Sequence, residues 1–149
     1  MGVLAEIPPW RGQMCFFFCM LCFAAAEDVR KHTIPDVCHV GIFLAAMLDF
    51  DVQKLWGMTA AIPFFIAAWK EKMGGGDVKL VLSSGLVLGW PLIWEGCVLG
   101  ILFLLCFHMT KSLAGKGRGK EQMAAYPMAP FLAAGFMMVC VEVVSQQRI

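Results

Sequence analysis

Two short polar clusters, each with an aspartate, interrupt an otherwise apolar sequence. Asp28 lies within residues 26–36, directly after an apolar run, and Asp77 follows three consecutive glycines, directly before another apolar run. Ionisable side chains in or beside apolar segments of this kind are costly to keep there, and they usually serve a function. We therefore interpret Asp28 and Asp77 as the candidate catalytic residues.

Two aspartates that come close together can share one proton, because two like charges at short range cannot both ionise without a large cost. The ionised carboxylate can act as a general base on a water molecule, and the protonated carboxyl can polarise the carbonyl group of a peptide bond. Such a pair titrates as a unit, so the sequence assigns neither role to Asp28 or to Asp77.

Three glycines precede the second aspartate: Gly74, Gly75 and Gly76. Glycine lets the backbone come close to a substrate or to another helix, and we expect these three to interrupt the helix and act as a flexible hinge. The two aspartates are then expected to lie apart when no substrate is bound. Lys79 follows shortly after, where it could favour the ionised form of Asp77 or extend to the lipid headgroups.

A structural role is the alternative for the second cluster. Acidic residues are common at helix N-termini because they complement the helix dipole, and Asp77 could simply cap the helix that follows it. Either cluster alone leaves the choice between catalysis and a structural role open.

Apolar runs separated by short polar connections make up most of the 149 residues. The runs cover about residues 13–26, 37–48, 55–69, 80–90, 92–109 and 123–144. With 60% hydrophobic residues, 15% charged residues and a mean hydropathy of +0.73, the chain is too apolar for a soluble domain of this length. We expect an all-α integral membrane protein, a single domain over residues 1–149 with about six transmembrane helices. Five spans would result if the runs on either side of Pro91 formed one long kinked element.

Most lysines and arginines lie in three of the connections. Nine of the twelve fall in residues 27–36, 70–79 and 110–126. Positively charged connections stay on the cytoplasmic side of a membrane, so we expect these three to face the cytoplasm. With six spans, Asp28 and Asp77 then lie at the same membrane face. The formal net charge of +1 argues against a nucleic-acid partner, and the lipid bilayer is the expected surrounding.

Three segments resemble motifs of one family, in the right order along the chain. Residues 28–36 (DVRKHTIPD) resemble the D-x-R-x-x-x-I-P-[DN] motif of the type IV prepilin peptidases, and residues 74–77 (GGGD) fit the G-x-G-D motif of membrane aspartic proteases. Residues 126–135 (YPMAPFLAAG) resemble the P-x-x-P-F-x-x-x-G start of the last helix in the same family. The three together are far more specific than G-x-G-D alone.

The resemblance implies a polytopic helical aspartic endopeptidase whose active site faces the cytoplasm. Its implied substrate is a type IV prepilin-like precursor (a pilin, pseudopilin or preflagellin), cut between a basic leader peptide and a hydrophobic helix. Asp28 and Asp77 correspond to the family's catalytic aspartates. Asp36 corresponds to the Asp or Asn after I-P, and we interpret it as a supporting residue at the start of the second helix, with Asp36 as a catalytic partner the alternative. The glycines and Lys79 are expected near the substrate, and neither a metal nor a cofactor is implied.

The sequence also departs from the larger members of that family. Those members have an N-terminal cytoplasmic domain with paired C-x-x-C motifs and also methylate the new N-terminus, whereas about a dozen residues precede the first apolar run here. We therefore expect the compact form associated with tight-adherence pili or archaeal-type preflagellin processing, without methyltransferase activity. The 48 residues between Asp28 and Asp77 must hold two spans and a turn, so we expect short or tilted helices there.

Other functions stay open. A small transporter or an assembly component of a secretion machine would also carry carboxylates in a membrane protein. A transporter is expected to place them near the bilayer midplane, commonly within inverted repeats, and this sequence shows neither feature. A presenilin-type protease would share G-x-G-D, but the segment around Asp28 and the proline-rich segment fit the prepilin peptidases better. The sequence predicts neither the oligomeric state nor the particular precursor.

Overall fold

Helices form all the regular secondary structure in the computed structural model, which describes residues 9–70, 74–114 and 127–146. Within these ranges the elements are α1 (Pro9–Lys31), α2 (Asp36–Met47), a 3-10 helix (Val52–Ala60), α3 (Ala61–Trp69), α4 (Gly75–Leu88), α5 (Leu92–Ala114) and α6 (Ala129–Gln146). The all-α prediction is confirmed. Residues 123–126 of the last apolar run lie outside the described residues.

Two of these helices are long and apolar enough to cross a membrane. They are the stretches Gly12–Lys31 of α1 and Leu92–Leu113 of α5, while α2 and α6 are apolar but shorter. Large hydrophobic side chains such as Phe43, Trp69 and Leu105 are exposed on the outside of the bundle. Such a surface fits contact with lipid better than contact with water. The helices thus fit a membrane protein, and the count of six spans stays a prediction.

The segment between the two aspartates contains short helices, as its length predicts. α2 has 12 residues and α3 has nine, and the third apolar run begins with a 3-10 helix of nine residues. A 3-10 helix rises about 2.0 Å per residue against about 1.5 Å for an α-helix, so it covers more distance with the same number of residues. Asp51 caps this helix by accepting a hydrogen bond from the backbone N–H of Gln53 at 3.0 Å.

A tight turn separates α4 from α5. Gly89 ends α4 with a φ of 72°, a left-handed conformation that favours glycine, and the Trp90–Pro91 peptide bond is cis. The turn predicted at Pro91 is therefore confirmed, and the alternative in which the fourth and fifth runs form one long element is wrong.

α4 is the most enclosed helix, and it contacts α2, α3, α5 and the 3-10 helix. Its approach to the 3-10 helix is close enough for backbone to meet backbone: a Cβ built on Gly85 would stand 2.5 Å from the carbonyl oxygen of Gly57. On the other side of the bundle, α6 packs against α5 and α1, and α1 packs against α2. Successive helices alternate in direction, which brings the end of α1 and the starts of α2, α4 and α6 to one end of the bundle.

Candidate active site

A pocket of about 460 Å³ lies at this end of the bundle. Its lining residues come from the end of α1, the start of α2 and the start of α4. They are Asp28, His32, Thr33, Ile34, Asp36, Gly74, Gly75, Gly76, Asp77 and Lys79. The structure therefore brings every candidate residue from the sequence into one pocket.

Asp28 lies in the last turn of α1, and only 7% of its surface is exposed. Its Oδ2 accepts a hydrogen bond of 3.0 Å from the backbone N–H of Ala129, the first residue of α6. A carboxylate at a helix N-terminus meets the positive end of the helix dipole, and a hydrogen bond to the charged form favours that form. The carboxyl group of Asp28 is therefore held at the start of α6 by a buried hydrogen bond.

Asp77 has a contrasting environment. It is buried in the first turn of α4, ahead of the apolar run that begins at Leu80, and within the described residues its Oδ1 has no hydrogen-bond partner. Burial, and to a smaller extent the negative charge of Asp28, raises the pKa of Asp77 to about 6. Asp77 lies in the first turn of α4, where a carboxylate complements the helix dipole, so the structural alternative for this residue stays beside the catalytic one.

No hydrogen bond joins the carboxyl groups of Asp28 and Asp77, both of which lie in the described ranges. Asp28 acts on Asp77 through its charge, which contributes to the raised pKa of Asp77. Their contact in the presence of a substrate, and a hinge motion at the glycines, stay predictions.

The glycines differ from the prediction in one respect. α4 begins at Gly75, so Gly75 and Gly76 form part of its first turn and only Gly74 precedes the helix. The expectation that all three glycines interrupt the helix is therefore wrong. The first N–H groups of any helix have no partner within that helix, so the chain can already be helical at Gly75 and Gly76. Gly76 serves close packing: a Cβ at this position would stand 3.4 Å from the Cβ of Ile34.

Lys79 forms an ion pair with Asp36, with 2.7 Å between Nζ and Oδ1. The pair links the start of α2 to α4, and the hydrogen bond from Lys79 lowers the pKa of Asp36. The suggestion that Lys79 acts on Asp77 is therefore wrong, because its ammonium group is directed to Asp36. As predicted, Asp36 is the first residue of α2.

The reversal between α1 and α2 forms one wall of the pocket. His32 has a φ of 50° and donates its backbone N–H to the carbonyl oxygen of Asp28 at 2.8 Å, which ends α1. Pro35 then takes an extended conformation as the N-cap of α2. Thr33 and Ile34 line the pocket between them, two residues within the D-x-R-x-x-x-I-P-[DN] segment that sequence reasoning did not single out.

The other feature that sequence reasoning missed is the N–H of Ala129. The only signal for it was the proline-rich segment at the start of α6, because a backbone donor has no side-chain type to recognise. In residues 9–70, 74–114 and 127–146, no group of three His, Cys, Asp or Glu side chains is arranged to hold a metal ion.

The fold and the pocket define a helical protein with two buried aspartates at one end of its bundle. Residues 15–141 match the model of the type IV leader peptidase family, and the chain belongs to this family. Members of the family are membrane-embedded peptidases that act on prepilin-like substrates. Neither a curated protein nor a solved structure gave a significant match.

Proposed function

We propose that the protein is an aspartic endopeptidase that removes the basic leader of type IV prepilin-like precursors at the cytoplasmic face of the cell membrane. The observation that carries this proposal is the single pocket with two buried aspartates in unlike surroundings. Asp28 accepts a backbone N–H, whereas Asp77 has a buried oxygen without a partner and a pKa of about 6. A carboxyl group whose pKa is raised by burial and by a neighbouring carboxylate is typical of the acid–base residues of active sites.

The chemistry requires the two carboxyl groups and one water molecule. The ionised carboxylate takes a proton from water, whose oxygen attacks the scissile carbonyl carbon, while the protonated carboxyl donates its proton to the carbonyl oxygen. The tetrahedral intermediate then breaks its carbon–nitrogen bond as the first aspartate returns a proton to the leaving nitrogen. One hydroxyl proton of the intermediate goes back to the second aspartate, which restores the pair and leaves a new carboxyl group and a new amine. No covalent acyl-enzyme forms.

The pocket and its neighbourhood suit a substrate with a basic leader and an apolar helix. Three aspartates and one lysine line the pocket, so its charge complements a basic peptide. An apolar groove of about 390 Å³ runs between α3 and α5, lined among others by Phe64, Ala67, Trp94 and Ile101, and it reaches Met128 beside Ala129. The helix of a precursor in this groove would place the junction with its leader near the two aspartates.

The same proposal gives the orientation. Six spans with the basic connections inside would put the pocket at the cytoplasmic surface. The position of the aspartates at an end of the bundle supports a reaction at the membrane surface, whereas a transporter site is expected near the midplane.

The test is cleavage by the purified protein in lipid nanodiscs. Incubation with a panel of precursors that differ in leader sequence is expected to give one product, which begins at the junction of leader and apolar helix when its N-terminus is read by mass spectrometry. A matched precursor whose leader lysines and arginines are replaced by glutamines should be cut more slowly. Intact precursors throughout the panel, from protein that is folded and inserted, would contradict the proposal.

Asp36→Asn is expected to keep the cleavage rate within about tenfold of the wild type, because ion pairs between exposed side chains contribute little. The carboxyl of Asp36 is 77% exposed and already paired with Lys79, which suits a supporting role and not proton sharing within a buried pair. Lys79→Gln should have a similar effect, and the double variant should be no slower than the slower single one. A loss in Asp36→Asn as large as in Asp28→Asn would instead favour Asp36 as a catalytic partner.

A further inference from the structure

The start of α6 has a single backbone donor that the helix itself does not use. Phe131 and Leu132 donate their N–H groups to the carbonyl oxygen of Met128, at 3.1 and 3.2 Å. Pro130 has no N–H at all. Of the first four residues of α6, Ala129 is therefore the one whose N–H is left over, and this N–H donates to Oδ2 of Asp28 at 3.0 Å.

This hydrogen bond is enclosed by the protein. Ala129 is fully buried and Asp28 is 7% exposed, and the two residues lie 101 positions apart in the chain. A buried hydrogen bond to a charged group is stronger than a neutral one, because little solvent competes for either partner. The contact also adds the positive end of the dipole of an 18-residue helix.

We propose that the proline-rich start of α6 is a positioning element that holds the carboxylate of Asp28 in place for its part in the catalytic pair. Pro130 has no N–H that could compete for the carboxylate of Asp28, and the N–H of Ala129 holds that carboxylate in place. Asp28 is then the general base that takes the proton from water, and Asp77 is the general acid that protonates the carbonyl oxygen. This inference rests on the proposed function for its catalytic meaning, whereas the ionisation of Asp28 can be measured without any substrate.

Other charged groups around Asp28 belong to three elements. Those on α1 and the residue after it are Glu27, Arg30, Lys31 and His32, those on α2 are Asp36 and His39, and those on α4 are Asp77 and Lys79. Glu27 is paired with Lys31, and Asp36 with Lys79, so among these carboxyl groups in the described residues Asp77 is the one without a paired lysine. On α6 the ionisable groups Cys140 and Glu142 lie 11 and 13 residues beyond Ala129, about 16–20 Å along the helix.

The experiment replaces the amide at position 129 by an ester, through incorporation of lactic acid. This change removes the N–H but keeps the methyl side chain and the shape of the backbone. Ala129→Gly is the matched control, because it keeps the N–H and loses the methyl group. Ala129→Pro is a second variant that lacks the N–H, and proline is well accepted at the first position of a helix. A thermal transition near that of the wild type establishes that each variant is folded.

The first readout is kcat/KM as a function of pH, whose acid limb reports the ionisation of the general base in the free enzyme. In the ester variant this limb is expected about one to two pH units higher than in the wild type and in Ala129→Gly, as the loss of one hydrogen bond to a charged group implies. A uniform loss of rate without a shift of the limb would show a purely structural contact and overturn the inference.

The second readout needs no cleavage. In protein with 13C-labelled aspartate, the carboxyl carbon of Asp28 is expected to titrate at higher pH in the ester variant than in Ala129→Gly. An unchanged titration of Asp28 would overturn the inference even if the protein cleaves precursors. A shifted titration in a protein that cleaves none of the precursors would support the positioning role and count against the proposed function alone.

Discussion

Asp28→Asn and Asp77→Asn are each expected to lower the rate of leader cleavage by about 10²–10⁴-fold, the usual contribution of general acid–base catalysis. Neither amide can exchange a proton with water or with the scissile carbonyl group at neutral pH. Asparagine has nearly the shape of aspartate, and its carbonyl oxygen can still accept the N–H of Ala129. The loss should therefore be chemical, with protein levels and membrane insertion unchanged.

Two comparisons sharpen this experiment. The double variant Asp28→Asn/Asp77→Asn is expected to be about as slow as the slower single variant, because groups that act as a unit do not contribute additively. Asp49→Asn is the matched control, since Asp49 follows α2 at the opposite end of the bundle and its exposed carboxylate pairs with Lys54. Cleavage at the wild-type rate by either catalytic-site variant would rule out the aspartate pair.

Gly135→Ala is expected to destabilise the protein by about 1–3 kcal/mol, the usual cost of overpacking, and to reduce cleavage with it. A Cβ at Gly135 would overlap the carbonyl oxygen of Gly96 and stand 2.6 Å from the backbone nitrogen of Gly100. Backbone atoms cannot rotate away as side chains do, so α5 and α6 must separate. Ala129 begins the same helix, and its N–H would move relative to Asp28.

The measurement is the thermal transition in detergent, together with the amount of protein in the membrane and the cleavage rate. Gly12→Ala is the control, because a Cβ at this position in α1 meets no atom within 4 Å. In a helix this change should be neutral or stabilising by about 0.5–1 kcal/mol. Equal stability of the two variants would show that α5 and α6 do not depend on the glycine contact.

Hydropathy and charge were sufficient to predict the all-α class, the turn at Pro91 and the short helices between the aspartates. Each of these features depends on the average hydropathy and length of a whole segment, and such averages change little with the contacts of any single side chain. The 3-10 helix before α3 was not predicted, because its apolar pattern does not differ enough from that of an α-helix over nine residues.

The pocket was predicted in its residues and only partly in its contacts. The motifs identified Asp28, Asp77, Asp36 and Lys79, which the structure places together. The pairing of Lys79 with Asp36 depends on how α2 and α4 are rotated about their axes, and short polar segments do not determine this rotation. The donor to Asp28 belongs to the backbone of Ala129, where any residue except proline would supply the same N–H.

Asp28 and Asp77 can act as one catalytic pair only if the charge of the first changes the protonation of the second. A 13C NMR titration of the five aspartate carboxyls in nanodiscs, with Asp77→Asn to assign the signal, measures this directly. In the wild type Asp77 is expected to titrate at about 6. In Asp28→Asn the pKa of Asp77 should be lower, because one negative charge is gone, but still above its ordinary value, because burial is the larger cause. An ordinary pKa for Asp77 in the wild type, or the same pKa in both proteins, would contradict the pair.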